Sequence, residues 1–353
     1  MKNKILLVFL TMQFYCATAQ QNSTYDVKLF SFLPKLQIRA LEVISESKVW
    51  FAADRGVWGY TEDAGASWHI DSMKIDNVYP EFRSIATLND STFLLLSIVS
   101  PAYLVKTTNK GKTWRLVYKN TNEKIFFDCM KFYNKTSGIA IADPIDGHFP
   151  IIKTDDGGET WTELDLETSP KSEPEEGILA ASNSSIVIKS KNTWFISGGS
   201  RSRLFYSSNQ GVHFKSYDQP IPSIEQMNKN GTMDFFNSKL GVMGGGNSDN
   251  ADTICTKLAI TKNGGNTWET IKTNLKYSIS CVQFHTKNEF YFTSYSGTFK
   301  YSIKSKTLTE IKGSNGKPLR YYTLRITPSG NAMWLAGGIG TIALINLKPK
   351  QSK

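Results

Sequence analysis

The residues of this chain whose types and spacing could do chemistry fall into three groups. KTDDGGETWTEL (153–164) sets Asp155 and Asp156 ahead of two glycines, a pattern open to three readings: a calcium loop, a catalytic acid pair or a tight turn. A second group is Arg39, Arg83, Asp128 and Tyr322, with Arg325 beside Tyr322 in YTLRIT (322–327). Two arginines beside an aspartate could clamp an anion bidentately. Asp128 with Asp143 could instead form a glycosidase-like carboxylate pair, with Tyr322 the base of a lyase. The third group is Asp143 and Asp146 in ADPIDGHFP (142–150) and Asp249 and Asp252 in GGGNSDNADTIC (244–255). These offer hard oxygen ligands to calcium, or cap exposed loops as Asx turns.

The first group resolves once the chain is searched for repeats. TEDAGASW (61–68), TTNKGKTW (107–114), TDDGGETW (154–161), SSNQGVHF (207–214) and TKNGGNTW (261–268) share the pattern Ser/Thr-x-Asp/Asn-x-Gly-x-x-Trp/Phe. Their common glycines are Gly65, Gly111, Gly158, Gly211 and Gly265, at spacings of 46, 47, 53 and 54 residues. Asp63, Asn109, Asp156, Asn209 and Asn263 occupy the turn-acceptor position, where the side chain takes backbone N–H groups. The glycine two residues later supplies φ > 0. An amide cannot replace a catalytic carboxylate but can replace a hydrogen-bond acceptor, so Asp156 reads as structural.

A period near 50 residues built of short strands predicts propeller blades. In the first unit RALEVI (39–44), VWFAAD (49–54), VWGYT (57–61) and WHIDS (68–72) give strands a to d, with the repeated box joining c to d. SCVQFH, EFYFTS, GTFKYSI and TLTEI (280–311) make a sixth unit without a box, and residues 322–347 a seventh that is one strand short. YDVKLFSF (25–32) supplies that strand, so the expectation is an all-β, seven-bladed β-propeller whose ring is closed by an N-terminal strand.

This topology puts a-b and c-d turns on one face and b-c loops and d-a connections on the other. The boxes occupy the first face, so a ligand pocket is expected on the second, where the b-c loops of blades 3 and 5 are long. Aligned strands a place Arg39, Arg83, Asp128, Asn183, Gly231, Ser280 and Tyr322 around one mouth. Six of these seven can hydrogen-bond, as an anion site or as a salt-bridged plug that fills the channel and fixes blade spacing. The candidate ligand pocket is therefore Arg39, Arg83, Asp128, Asp143, Asp146, Asp249, Tyr322 and Arg325.

Lys2 and Lys4, the apolar run Ile5 to Leu10 and Ala17-Thr18-Ala19 read as a signal peptide, 1–19, cleaved near Ala19. Residues 20–353 then form one propeller domain, secreted or periplasmic. Lipidation at Cys16 fits less well, because bulky Gln13, Phe14 and Tyr15 precede it. No later run is apolar enough to span a bilayer. The net charge of +10 is scattered without a basic stripe, which argues against nucleic acid. Cys129, Cys255 and Cys281 would remain after cleavage, an odd number read as buried thiols with one bridge, Cys255 to Cys281, left open. The four histidines lack metal-ligand spacing, so no cofactor is expected beyond a possible calcium.

The boxes resemble the Asp-box, or BNR, repeats of sialidases and sortilins. IRALEVI, FFDCMKF, GIAIADPIDGHFPIIKTDDGGETW and LGVMGGGNSDNADTICTKLAITKNGGNTW make the chain similar to the photosystem II stability/assembly factor-like propellers of exported bacterial proteins. The resemblance implies a seven-bladed propeller outside the cytoplasm and transfers no activity. Some relatives carry the label oxidoreductase, yet this chain has neither a dinucleotide fingerprint after a strand nor a C-x-x-C. The sialidase Phe/Tyr-Arg-Ile-Pro motif is also missing, since the nearest segments read QIRAL and EFRSI. The leading expectation is an exported, non-catalytic, monomeric propeller that binds a protein partner or an anionic glycan on its b-c loop face. The alternative is a glycoside hydrolase or polysaccharide lyase acting on an acidic polysaccharide.

Overall fold

The computed structural model describes residues 21–221, 231–246, 258–313 and 315–347. The proposed signal peptide, Asp249, Asp252 and Cys255 lie outside the described residues. Every regular element among those described is a β-strand, and the strands form a seven-bladed β-propeller of small antiparallel sheets. Blade 1 runs Ile38–Val43, Val49–Ala53, Val57–Thr61 and His69–Ser72 in that spatial order. The innermost strands of blades 2 to 7 are Phe82–Thr87, Phe127–Phe132, Ile186–Lys189, Thr232–Phe235, Ile279–Thr286 and Thr323–Ile326.

Side-chain chemistry follows radial position. Strand b is sandwiched by neighbouring blades, so VWFAA, FLLLS, GIAIA and AMWLA are buried along their whole length, the continuous apolar pattern of a strand covered on both faces. Strand d faces solvent, and HIDS in blade 1 is exposed throughout. Seven apolar clusters fill the seven blade-to-blade interfaces. The cluster between blades 7 and 1 sets Trp334 and Ile342 against Leu36, Phe51 and Val57, with Phe30 and Phe32 packed on it.

Blade 7 takes its fourth strand from the N-terminal segment, Val27–Ser31, which lies antiparallel to Thr341–Asn346. One further strand was not anticipated: Gln21–Thr24 runs parallel to Thr307–Lys312 as a fifth strand on blade 6. QNST has no apolar alternation to announce it. Its pairing is a backbone matter, the covering of an edge that would otherwise present free N–H and C=O groups.

The five repeated turns sit between strands c and d, and their first residue proves as important as their third. In TEDAGASW the Thr61 hydroxyl donates to Asp63 Oδ1 at 2.8 Å and accepts the Gly65 N–H at 2.9 Å, while Asp63 takes the Ser67 N–H at 2.8 Å. Asn109 accepts the equivalent Thr113 N–H at 2.9 Å and Asn263 the Thr267 N–H at 2.9 Å. The fixed glycine presses on the preceding blade. At Gly111, φ +80°, a Cβ would stand 2.1 Å from Trp58 Cη2, and Trp58 is itself buried in blade 1.

Two predictions follow from this geometry. Gly111→Ala forces both a left-handed L-residue and a clash with a large buried ring, so a loss of about 2–4 kcal/mol is expected in urea melts. Asp63→Asn should be tolerated at neutral pH, because Asn already serves at three equivalent sites. The Ser67 and Thr61 hydrogen bonds hold Asp63 down at about 2, against the usual ~3.9 of an unfolded aspartate. A depressed carboxylate contributes stability above its unfolded value that is lost as pH falls through its folded value. Melting temperatures of wild type and Asp63→Asn should therefore converge between about pH 4 and pH 2, the wild type losing the more. Parallel curves would remove Asp63 from the acid response.

Candidate functional site: the two mouths of the central channel

A shared backbone irregularity positions the candidate residues. The pairing of strands a and b shifts register between Ile38 and Ala40, Phe82 and Ser84, Phe127 and Cys129, and Ile279 and Cys281. The residue skipped in each case is Arg39, Arg83, Asp128 or Ser280. Four of the seven aligned positions are thus β-bulges at the start of the inner strand, and a bulge re-aims the side chain it carries. In blades 4, 5 and 7 the corresponding Asn183, Gly231 and Tyr322 precede the strand.

The channel between them is closed. The connection from blade 3 to blade 4, residues 164–185, is the longest of the d-a crossings, and its end crosses the channel as a plug. Arg83 Nη1 donates to the Ala180 carbonyl at 3.3 Å and Arg39 Nη1 to that of Ala181 at 3.4 Å. Arg325 Nη2 donates to the carbonyls of Ser182, at 2.8 Å, and Asn183, at 3.3 Å. Asn183 is buried, with φ +52°, and its Oδ1 accepts from Ser84 Oγ at 3.2 Å and the Met130 N–H at 3.1 Å. Ser182 Oγ donates to the Ser280 carbonyl at 2.6 Å, and Ser184 Oγ shares a hydrogen bond with Thr232 Oγ1 at 2.8 Å. Blades 1, 2, 3, 5, 6 and 7 all hold this one segment. The plug's backbone carbonyls are capped by three guanidinium groups.

On the b-c side of the plug, Arg39 and Arg83 line a basic mouth. The carboxylate that pairs with Arg83 is Glu81, at 2.6 Å, a residue the sequence did not single out. Arg39 lies over the Tyr322 ring, 4.1 Å from its centroid, and its Nε is buried without an acceptor. Burial, and then the charge of Arg83, hold the Arg39 guanidinium below its usual range. Tyr322 is raised by burial and by the hydrogen bond with Tyr295, 3.4 Å between hydroxyls. Such a mouth is short of negative charge.

The remaining candidates disperse. Asp128 is wholly buried, so it is not presented to solvent as half of a carboxylate pair. Asp143 Oδ1 accepts the Ile178 N–H at 2.6 Å and so ties the b-c loop of blade 3 to the long connection. Asp146 is exposed, paired with Lys124 at 2.8 Å. Arg325, three residues beyond Tyr322, lies on the other side of the plug from Arg39 and Arg83, in a cavity that opens among the a-b turns. Among the described residues no cluster of three or more His, Cys, Asp or Glu side chains could hold a metal. Cys129 and Cys281 are buried free thiols.

No protein-family model and no curated protein matches the sequence. Solved structures do match. YCF48 bound to D1 peptide superposes with a TM-score of 0.68 at 13% identity, over 93% of this chain and 99% of that one. YCF48 from Cyanidioschyzon merolae gives 0.63 at 13% identity, over 91% and 99%. They share the propeller fold. The GH74 enzyme of Niastella koreensis also matches, with a TM-score of 0.58 at 13% identity, over 78% of this chain but 46% of that enzyme. At these identities the likeness is one of fold.

Proposed function

We propose that this protein is an exported, non-catalytic propeller that binds a protein partner on its b-c loop face, the partner presenting a carboxylate to Arg39 and Arg83. The observation that carries the reading is where apolar side chains meet solvent. Leu33, Val78, Tyr79, Val99, Tyr295 and Ile339 are exposed large hydrophobics, and all six belong to b-c loops or d-a connections. Ile339 is 72% and Tyr295 54% exposed. Among the described residues only Phe236 is comparably exposed in an a-b turn, while Leu29, Ile70 and Leu116 are exposed on outer strands. Apolar and aromatic groups around arginines are the composition of a protein interface. An anionic glycan would satisfy the arginines and leave the apolar rim uncovered. The YCF48 match bound to a peptide supports a polypeptide on this fold. The burial of Asp128 weighs against hydrolase or lyase chemistry at this mouth.

Selection of a random peptide library on the immobilised protein tests the reading. Enriched peptides should combine Asp or Glu with apolar residues. Their affinity should fall about 10- to 100-fold in Arg83→Gln, the loss of a charged hydrogen bond, and weaken with added salt. Enrichment indifferent to Arg83 would sink the proposal. Preferential binding of alginate or hyaluronan oligosaccharides would move the partner to a glycan, and release of reducing sugar would restore the hydrolase.

A further inference from the structure

The other mouth carries a separate constellation. Beneath the plug, on the a-b turn face, a cavity of about 260 Å³ is ringed by Glu42, Lys131, Lys189, Asp234, Gln283 and Arg325. These come from blades 1, 3, 4, 5, 6 and 7, each near the far end of its inner strand. Asn183 and Ser184 of the plug form the inner end, and Val187, Val282 and Ile326 add apolar wall. The volume lies below the ~300 Å³ at which pockets for drug-sized ligands begin, so an occupant would be a small molecule.

The charge pattern defines the occupant further. Lys131 and Lys189 stand on adjacent blades, and their carboxylate partners are loose: Glu42 is 3.4 Å from Lys131 Nζ and Asp234 is 3.7 Å from Lys189 Nζ. A well-formed charged hydrogen bond is about 2.7–2.9 Å. Asp234 is meanwhile held by the N–H groups of Phe235 and Phe284, each at 2.8 Å, which fixes it away from a tighter approach. Both lysines reach solvent, with side chains 25% and 39% exposed, so ammonium donors are available at an open entrance. Arg325 spends its donors on carbonyls and on Cys281 Sγ, which leaves its full positive charge at the inner end. Three cations against two carboxylates make the cavity one charge positive.

We infer that this cavity is a second ligand site, distinct from the partner-binding mouth, and that it takes a small organic carboxylate. The carboxylate lies between Lys131 and Lys189, and the apolar body lies along Val187, Val282 and Ile326. Because the plug separates the two mouths, the site does not depend on the proposed partner.

Isothermal titration of the full mature chain with benzoate and succinate, at low ionic strength and neutral pH, tests this directly. Millimolar affinity, about −4 kcal/mol, is expected for at least one of them. It should weaken about tenfold in Lys131→Gln and in Lys189→Gln, persist in Lys189→Arg, and be unchanged in Lys124→Gln, which removes an exposed cation far from the cavity. Circular dichroism and melting temperature of each variant establish that the fold is intact. No heat with either acid up to about 20 mM, binding indifferent to both lysines, or binding of inorganic phosphate alone would each overturn the assignment.

Discussion

A chain that begins at residue 33 is expected to lose its cooperative melt, or to melt about 10–20 °C lower, whereas a chain that begins at Tyr25 should melt within a few degrees of one that begins at Gln20. The difference lies in which edge each truncation uncovers. Starting at Tyr25 removes only Gln21–Thr24, a parallel strand on the outside of blade 6. Starting at residue 33 removes Val27–Ser31, whose register sets Val27 opposite Ile345 and Ser31 opposite Thr341, together with the Phe32 N–H bond to the Gly340 carbonyl at 2.8 Å. Phe30 also stacks on Trp334, centroids 5.8 Å apart, and Phe32 meets Trp68 edge-on at 4.9 Å. A fully buried Phe→Ala change costs about 3–5 kcal/mol, and even half of that for each ring takes a large share of a total stability of about 5–15 kcal/mol. Near-ultraviolet circular dichroism melts and gel filtration read the outcome. Equal melting of the two truncations would mean that the blade 7 to blade 1 interface holds without the strand.

Arg203→Met is expected to destabilise the protein by about 3–5 kcal/mol, because it strands a buried carboxylate. Glu176 has no side-chain exposure and Arg203 10%. Arg203 Nε donates to Glu176 Oε1 at 2.9 Å, its Nη2 contacts Oε2, and Nη2 also donates to the Lys171 carbonyl at 2.8 Å. Ser197 Oγ and the Glu173 N–H complete the shell of Glu176. Replacing both partners, Arg203→Met with Glu176→Leu, should recover a measurable part of the loss, since the stranded charge is then gone. Urea denaturation of the four proteins of this cycle gives the coupling. A single-variant cost below about 1 kcal/mol would place the pair among weak surface contacts. Glu176 sits in the connection that ends in the plug, so amide exchange at Ala180 to Ser184 should rise in Arg203→Met.

The blades were legible because their determinants are local. A box of eight residues contains its own hydroxyl, acceptor and glycine, and a run such as FLLLS announces a strand covered on both faces wherever it occurs. The alignment of inner strands also carried real information. It gathered Arg39, Arg83, Asp128 and Ser280, which the structure places at equivalent bulges, although nothing in their neighbours signals a bulge. What it could not supply was direction. Asp128 is wholly buried, and Arg83 finds Glu81 two residues away.

The plug was hidden for the same physical reason in stronger form. ILAASNSS (178–185) is small, polar and without periodicity, and it reads as a loop. Its guanidinium partners, Arg83, Arg39 and Arg325, lie 97 to 143 residues away, a separation no local pattern encodes. Glu42, Lys131, Lys189 and Asp234 likewise read as ordinary charged ends of strands until the ring brings them to one cavity. By itself the sequence determined the repeat, the blade count and the turn chemistry, because backbone conformation and strand burial depend on neighbours in the chain. Only the tertiary structure decided that the channel is closed and that its two mouths differ in chemistry, because both depend on which side chains the closed ring forces to meet.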